Sequence, residues 1–445
     1  MKKLLATTAL CFSMITAPLS AGDVKQSVIK DYDSYLKDLF IHFHQNPELS
    51  LVETKTAKRL AAELRSAGFD VTEGFGAMVE GHAATGVVAM MKNGDGPLVM
   101  MRADMDGLPV EEKSGLSYAS KAKQISPITG KEVSVMHACG HDVHITSLVG
   151  TARYMAANKD KWSGTLMLVG QPAEERVKGA KLMMDAGIWD KFGQPDYALA
   201  FHVGSGGPDG MVNVLKGSPY AGSDSVDITI HGVGAHGASP HAGKDPIVLG
   251  SQIVLALQTL VARELSPRQP GVVTVGSFHS GTKHNIISDK AVLQLTVRNT
   301  NLETRKLLLD GIKRIAENMG RVAGLPEDKL PEVKVISTTP PTVNHDPLAE
   351  KLKAVWTDKM GADRVSAIPP SGMGAEDFPY FTTEPKIKSV YWRIGGTPVE
   401  DYEKAMKGEA VIPSHHSPIF KVTPNSVKTG VESTVHALMA LMGKK

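Results

Sequence analysis

Cys139, His141 and His144 place a thiol and two imidazoles within six residues, with Gly140 between the first pair. Sulfur and imidazole are the soft and borderline donors that divalent transition metals take. A Cys-x-His triplet is weak by itself, because such triplets also occur in ordinary cores. A metal centre needs acidic and imidazole partners from elsewhere in the chain, and three places offer them. The apolar run Leu98–Met101 empties into Arg102-Ala103-Asp104-Met105-Asp106. Thr165–Val169 empties into Gln171-Pro172-Ala173-Glu174-Glu175, and Tyr197–Phe201 into His202. In open α/β sheets the carboxyl ends of strands collect the working groups, because the loops there converge on one crevice. Singly, each of these side chains reads as well as a solvated turn. Three strands ending in metal-capable or acid/base groups read as one site. Two late loops add the acidic turn Gly374-Ala375-Glu376-Asp377-Phe378 and the histidine loop Pro413-Ser414-His415-His416-Ser417-Pro418.

The elements that must position these groups follow from periodicity. Ile145, Leu148, Val149, Ala152 and Met155 recur at helical spacing just after the cluster. Upstream, helices are expected over about Val24–His44 and Glu53–Ala67. The short apolar runs Asp70–Thr72, Gly86–Met91 and Leu98–Met101, punctuated by Gly and Pro, read as strands of a mostly buried sheet. From Gly217 the texture changes, with Val226, Ile228 and Ile230 alternating with polar residues. A helix is expected from about Asp245 to Glu264, strands at Gly271–Phe278 and Lys290–Asn299, a helix at Leu302–Val322 and a strand at Glu332–Ser337. That β-α-β-β-α-β order is ferredoxin-like. The main domain resumes with a helix at Leu348–Lys359, a strand at Ser389–Ile394 and a closing helix at Asn425–Met442. The fold class is therefore α/β: a mixed, mostly parallel sheet flanked by helices over residues 22–216 and 337–445, with an inserted α+β domain over 217–336.

The first 21 residues stand apart. Lys2 and Lys3 precede an apolar run from Leu4 to about Thr16, then Pro18 and the small residues Ser20 and Ala21. This is the layout of a secretory signal peptide, too short to anchor, so the expected destination is the periplasm or the exterior. No later segment reads as long and apolar enough to cross a membrane. Without the leader, Lys+Arg falls from 49 by two lysines to 47, equal to the 47 Asp+Glu. A neutral chain with no basic stripe excludes nucleic acid as an expected partner. Of the 2 cysteines, Cys11 lies in the leader, so Cys139 has no internal disulfide partner. A lone thiol in an oxidising compartment must be buried or ligated, which favours metal binding.

The motifs HACGHD, QPAEE, FHV, GAHGASPH…DP, NIISD…TVR, GAEDF and HHSP occur here in the order found in amidohydrolases of metallopeptidase family M20. The chain resembles the subgroup of hippurate hydrolases, bacterial aminoacylases and plant auxin-amino-acid hydrolases over essentially its whole length after the leader. The resemblance implies two divalent metals, zinc, manganese, cobalt or nickel, held by Cys139, His141, Glu175, His202 and His416, with Cys139 bridging. His416 is chosen over His415 because it directly precedes Ser417-Pro418. Glu174 would be the general base, taking a proton from a metal-activated water and passing it to the departing amine, and Asp106 would orient a ligand. Asp104 occupies the position of a metal-binding histidine in other branches. The insert resembles the family's lid and dimerisation domain, so a homodimer is implied. In it His236 would reach a partner subunit's site, Arg298 would pair with the substrate carboxylate and Asn285 would assist. The local sequence departs from the family at Gly232-Val233-Gly234-Ala235-His236, where Gly-Lys-Gly-Gly-His is usual, and at Ser288, where proline is common. Lys121–Val135 is longer than in typical relatives. The implied activity is hydrolysis of the amide of N-acyl amino acids or related small amides with a free carboxylate. Alternatives are a dipeptidase or carboxypeptidase of the same fold, or a non-catalytic metal- or peptide-binding relative.

Overall fold

The structure is a computed structural model that describes residues 24–444; the leader expected over residues 1–21 lies outside them. Strands β1 (Asp70–Phe75), β2 (Gly86–Asn93), β3 (Leu98–Asp104), β4 (Gly164–Gln171), β5 (Tyr197–Pro208) and β6 (Lys388–Thr397) form one sheet in the order β1-β2-β4-β3-β5-β6. Two short strands, Val212–Asn213 and Val365–Ser366, extend it at the β6 edge. β4, β3, β5 and β6 run parallel, while β1 and β2 are antiparallel to their neighbours. Parallel strands must be covered on both faces, which explains their near-continuous apolar runs. One face packs Phe40, Leu60, Leu148, Trp162, Phe201 and Trp392 under α1 (Thr54–Ser66), α2 (His141–Ala157) and α3 (Ser426–Met442). The other buries Phe75, Met100, Met167, Met183, Phe378 and Tyr391.

The helix expected over Val24–His44 is present as Val24–Asp31 and Lys37–Gln45 joined by a π turn at Tyr32–Leu36. Two glycines are required where α2 begins and where it packs. Gly140, at φ 85, precedes His141, and a Cβ there would lie 2.4 Å from Val203 Cγ1. A Cβ on Gly150 would lie 2.6 Å from Val431 Cγ2 and 2.7 Å from Leu36 Cδ1, so its absence lets α2 and α3 approach.

The inserted domain has a four-stranded antiparallel sheet in the order Gly271–Ser280, Lys290–Asn299, Gly222–His231, Glu332–Thr339, with helices Pro246–Thr259 and Leu302–Val322 on one face. Asp245 and Asn301 cap these helices by accepting from the Ile247 and Thr304 N–H groups. Its borders differ from the expected 217–336. Gly217–Tyr220 pairs with Thr342–Asn344 as a separate two-stranded neck, and the insert's own sheet spans Gly222 to Thr339. Both neck strands are too short for a periodic signal. One expectation about membranes is corrected: the helical stretch Pro246–Glu264 is long and apolar enough to cross one by length and composition. In this fold one face of it, Leu249, Ile253, Leu257 and Leu260, is buried against the insert's sheet. The long segment Lys121–Val135 is a hairpin of Lys123–Ile125 and Glu132–Ser134. Its Gln124 side chain accepts from Leu49 N–H and donates to the Val52 carbonyl, bracing the loop that carries Ser50.

Replacing Gly150 by valine should force α2 and α3 apart and cost about 1–3 kcal/mol. Thermal unfolding should show a lowered Tm, and an unchanged Tm would refute the close packing.

Candidate metal centre

The sheet brings the predicted donors to one edge. β3 delivers Asp104 and Asp106, β4 delivers Glu174 and Glu175, β5 delivers His202, and the Gly140 turn delivers Cys139 and His141. Two trios result, Cys139 with His141 and His202, and Cys139 with Glu175 and His416, each with its donor atoms within 4.8 Å of one another. Cys139 belongs to both. Its Sγ lies 3.4 Å from His202 Nε2. The neighbouring backbone sets the imidazole tautomers. His202 Nδ1–H donates to the Val203 carbonyl at 2.7 Å, and His141 Nδ1–H donates to the Asp106 carbonyl at 2.8 Å. Each ring thus turns its Nε2 into the cluster, the arrangement a ligating histidine needs. His416, at φ 66, donates its N–H to the Ala138 carbonyl and stands with Nε2 3.4 Å from Glu175 Oε2. Its neighbour His415 is turned the other way, Nε2 donating to the Val203 carbonyl at 3.1 Å.

The donor set fits divalent cations. His141 Nε2, Glu175 Oε1 and Asp106 Oδ1 are buried with no hydrogen-bond partner. Burial, Glu175 and Glu174 push the Cys139 thiol well up, although only a thiolate ligates well. Burial followed by the neighbouring His144 and His415 pushes His202 well down, leaving it neutral. Burial and the carboxylates of Glu376 and Glu175 drive Glu174 well above the usual range. Buried carboxylates facing one another in this way favour protonation or added positive charge.

Around the donors lies a second set of buried groups. Asp106 Oδ2 accepts from Ser50 Oγ–H at 2.6 Å and from the Glu175 N–H at 3.0 Å. Glu53 accepts from the Ala173 N–H and from Thr85 Oγ1–H, both at 2.8 Å. The N–H groups of the two residues adjacent to Glu174 are therefore each held by a buried carboxylate, across a turn in which Ala173 and Val177 both have positive φ. Asp104 is no orphan. Burial alone would raise it, but the Arg102 guanidinium holds it well below the carboxylate range. Arg102, fully buried, donates to Gln171, Asp104, Glu376 and Asp377 at 2.8, 2.6, 2.7 and 3.2 Å. Asp104 in turn binds His144 Nδ1–H, while His144 Nε2 accepts the Val203 N–H at 2.9 Å. His144 is thus spent on structure.

His236, Asn285 and Arg298 are not brought to this cluster within one chain. His236 is exposed on the bridge to Ile286, its Nδ1 accepting from the Ala238 N–H. Asn285 lies beside it through its carbonyl and Gly237 N–H. Arg298 is half-buried in the insert's sheet opposite Ser223 and Val272.

Residues 100–436 match the sequence pattern of peptidase family M20/M25/M40. The chain belongs to that family. This M20 chain is 34% identical over 417 residues to thermostable carboxypeptidase 2 of Saccharolobus solfataricus, covering 93% of this chain and 96% of the relative. It is 35% identical over 356 residues to the hippurate hydrolase of Campylobacter jejuni, covering 79% and 86%. Its identity to IAA-amino acid hydrolase ILR1-like 2 of Arabidopsis thaliana is 33% over 403 residues, covering 89% and 82%. Among solved structures, a putative aminohydrolase from methicillin resistant Staphylococcus aureus superposes with a TM-score of 0.81 at 29% identity, covering 94% of this chain and 98% of that one. Bacillus subtilis YXEP, described as a dinuclear metal binding peptidase from the M20 family, superposes at 0.73 with 24% identity over 93% and 99% and shares the fold. With these relatives, the chain is a metal-dependent amidohydrolase of the M20 family.

Sequence patterns pass over Glu53, Arg102, His44 and Arg393 as working residues, since each sits in a helix start, an apolar run or a helix that reads as packing. His44 is buried between Asp142, at 2.7 Å, and Glu112, at 3.1 Å. Burial alone would lower it, but those two hydrogen bonds lift it to about 9.

Two measurements test this shell. Arg102→Met leaves Asp104, Glu376 and Asp377 facing one another in the interior and should destabilise the protein by about 3–5 kcal/mol; denaturant titration that detects no loss would refute the hub. His44, raised from its unfolded 6.5 to about 9, adds stability that is complete below about pH 6.5 and lost as the pH climbs through 9. The destabilisation caused by His44→Gln should follow that course in denaturation run at several pH values, and a flat difference would contradict it.

Proposed function

We propose that this M20 amidohydrolase cleaves the amide of N-acyl amino acids, hippurate-like compounds among them, with two divalent cations held by Cys139, His141, Glu175, His202 and His416. The observation that carries this is Glu174, a carboxylate held beside two donor trios that share one thiol, with the N–H groups of both neighbouring residues bound by buried carboxylates. When bound, the cations supply Lewis acidity at the amide carbonyl and the attacking water. Glu174, its Oε2 3.9 Å from His141 Nε2, removes the proton from that water and delivers it to the leaving nitrogen. Asp106 positions His141 through its carbonyl and Glu175 through the peptide N–H. Soft donors lean towards zinc, although manganese, cobalt and nickel suit the same set.

In the insert, Arg298 is assigned to the free α-carboxylate of the substrate, a group its fork of donors fits. Asn285 and His236 are assigned to the oxyanion, the latter across a homodimer. The leader motif over residues 1–21 supports export. The likeness to thermostable carboxypeptidases of Saccharolobus solfataricus favours one second reading, in which the acyl group is itself a peptide.

Glu174→Gln should lower kcat by about 10²–10⁴-fold while metal content and fold are retained. Steady-state kinetics with metal quantitation on hippurate, fatty-acyl and dipeptide substrates checks this. A variant keeping most of its activity would remove Glu174 from the reaction.

A further inference from the structure

Arginine is accounted for across most of this chain. Among the described residues, the half-buried Arg59, Arg153, Arg176, Arg305 and Arg364 each pair with a carboxylate, and the buried Arg102 serves three. Two half-buried guanidiniums form no ion pair with any described residue: Arg298 in the insert and Arg393 in the catalytic domain. Arg393 stands on β6 in register with His202 on β5, so the two side chains leave the sheet on the same face. Its guanidinium lies 4.8 Å from the centre of the Tyr220 ring and donates to the Pro219 carbonyl at 3.3 Å. Tyr220 is 6.2 Å from the His202 ring, and His202 is 3.4 Å from Cys139 Sγ. An uncommitted cation thus stands one aromatic ring from the proposed metal pair. Two added cations would repel it, and an anion placed between them would make the arrangement more favourable.

We propose that Arg393 and Tyr220 form a binding site for a second carboxylate of the substrate, so that doubly anionic amides are the preferred class. One carboxylate would be taken by Arg298 and the other by Arg393, with the phenol hydroxyl of Tyr220 as a further donor. This rests on amide hydrolysis at the same centre. The second carboxylate could belong to an acidic amino acid or to a dicarboxylic acyl group, and the chemistry that recognises it is the same.

The test uses matched pairs on the metal-loaded full chain: N-acetyl-glutamate against N-acetyl-glutamine, and N-succinyl-leucine against N-butyryl-leucine. Wild type should favour the acidic member of one pair by roughly 10- to 100-fold in kcat/KM, mainly through KM, and that pair identifies which side carries the carboxylate. Arg393→Met should erase the ratio, Arg393→Lys should leave part of it, and Tyr220→Phe should reduce it. Calorimetric binding of the acidic member to the Glu174→Gln protein, with and without Arg393→Met, gives the same comparison without turnover. Two results would overturn the site: no preference for either acidic member in wild type, or Arg393→Met lowering both members of a pair equally, which marks a brace for the neck. Absence of turnover on every amide, with the binding preference intact, would count against the hydrolase reading and not against the site.

Discussion

Arg102 is a full positive charge with no access to water, and a charge in that position persists only where fixed negative groups surround it. It stands on β3, yet its partners come from the end of β4, from its own strand two residues on, and from the Glu376-Asp377 turn far along the chain. Through Asp104 the same charge reaches His144, and through His144 it reaches the peptide that follows His202. The edge of the sheet is therefore held together electrostatically before any ligand arrives. Gln171 and the Ala180 N–H complete the coordination of Asp377, leaving no loose oxygen on that residue to compete for a cation.

What Arg102 leaves unbalanced is as informative as what it balances. Glu174 and Glu175 lie just beyond its reach, pressed against Glu376 and Cys139. Two histidines face them with rings oriented by main-chain carbonyls, which fixes their tautomers at no cost in side-chain partners. The adjacent glutamates differ in their surroundings. Glu175 is directed to Cys139 and His416, and Glu174, between residues whose N–H groups are bound by Glu53 and Asp106, has no main-chain donor committed to its carboxylate.

The sequence makes the frame of this molecule legible because burial leaves a periodic trace. Lys290–Asn299 and Leu302–Val322 begin and end where alternation and helical spacing place them, and the strand ends carrying Asp104, Glu174 and His202 announce themselves as acids or imidazoles after apolar runs. Contacts between remote segments leave no such trace. Arg102 looks like an interruption in a strand until β3 is set beside Glu376, and Arg393 looks like an exposed end until β6 is placed in register with β5. Glu53 reads as an ordinary helix start, although its carboxylate is spent on a peptide N–H far along the chain. Adjacent histidines with opposite orientations, His415 inward and His416 towards Glu175, depend on a single positive φ that composition does not encode.

The neck joining the two domains has a mechanical side. Gly217–Tyr220 and Thr342–Asn344 are the two chain crossings between catalytic domain and insert, and they are zipped together as one short ribbon. Tyr220 is the last residue of its strand and the ring beneath the Arg393 guanidinium. A twist of that ribbon would turn the phenol beside His202 and shift the Asn344 bonds to Tyr391, so the posture of the smaller domain bears on the surroundings of the thiol.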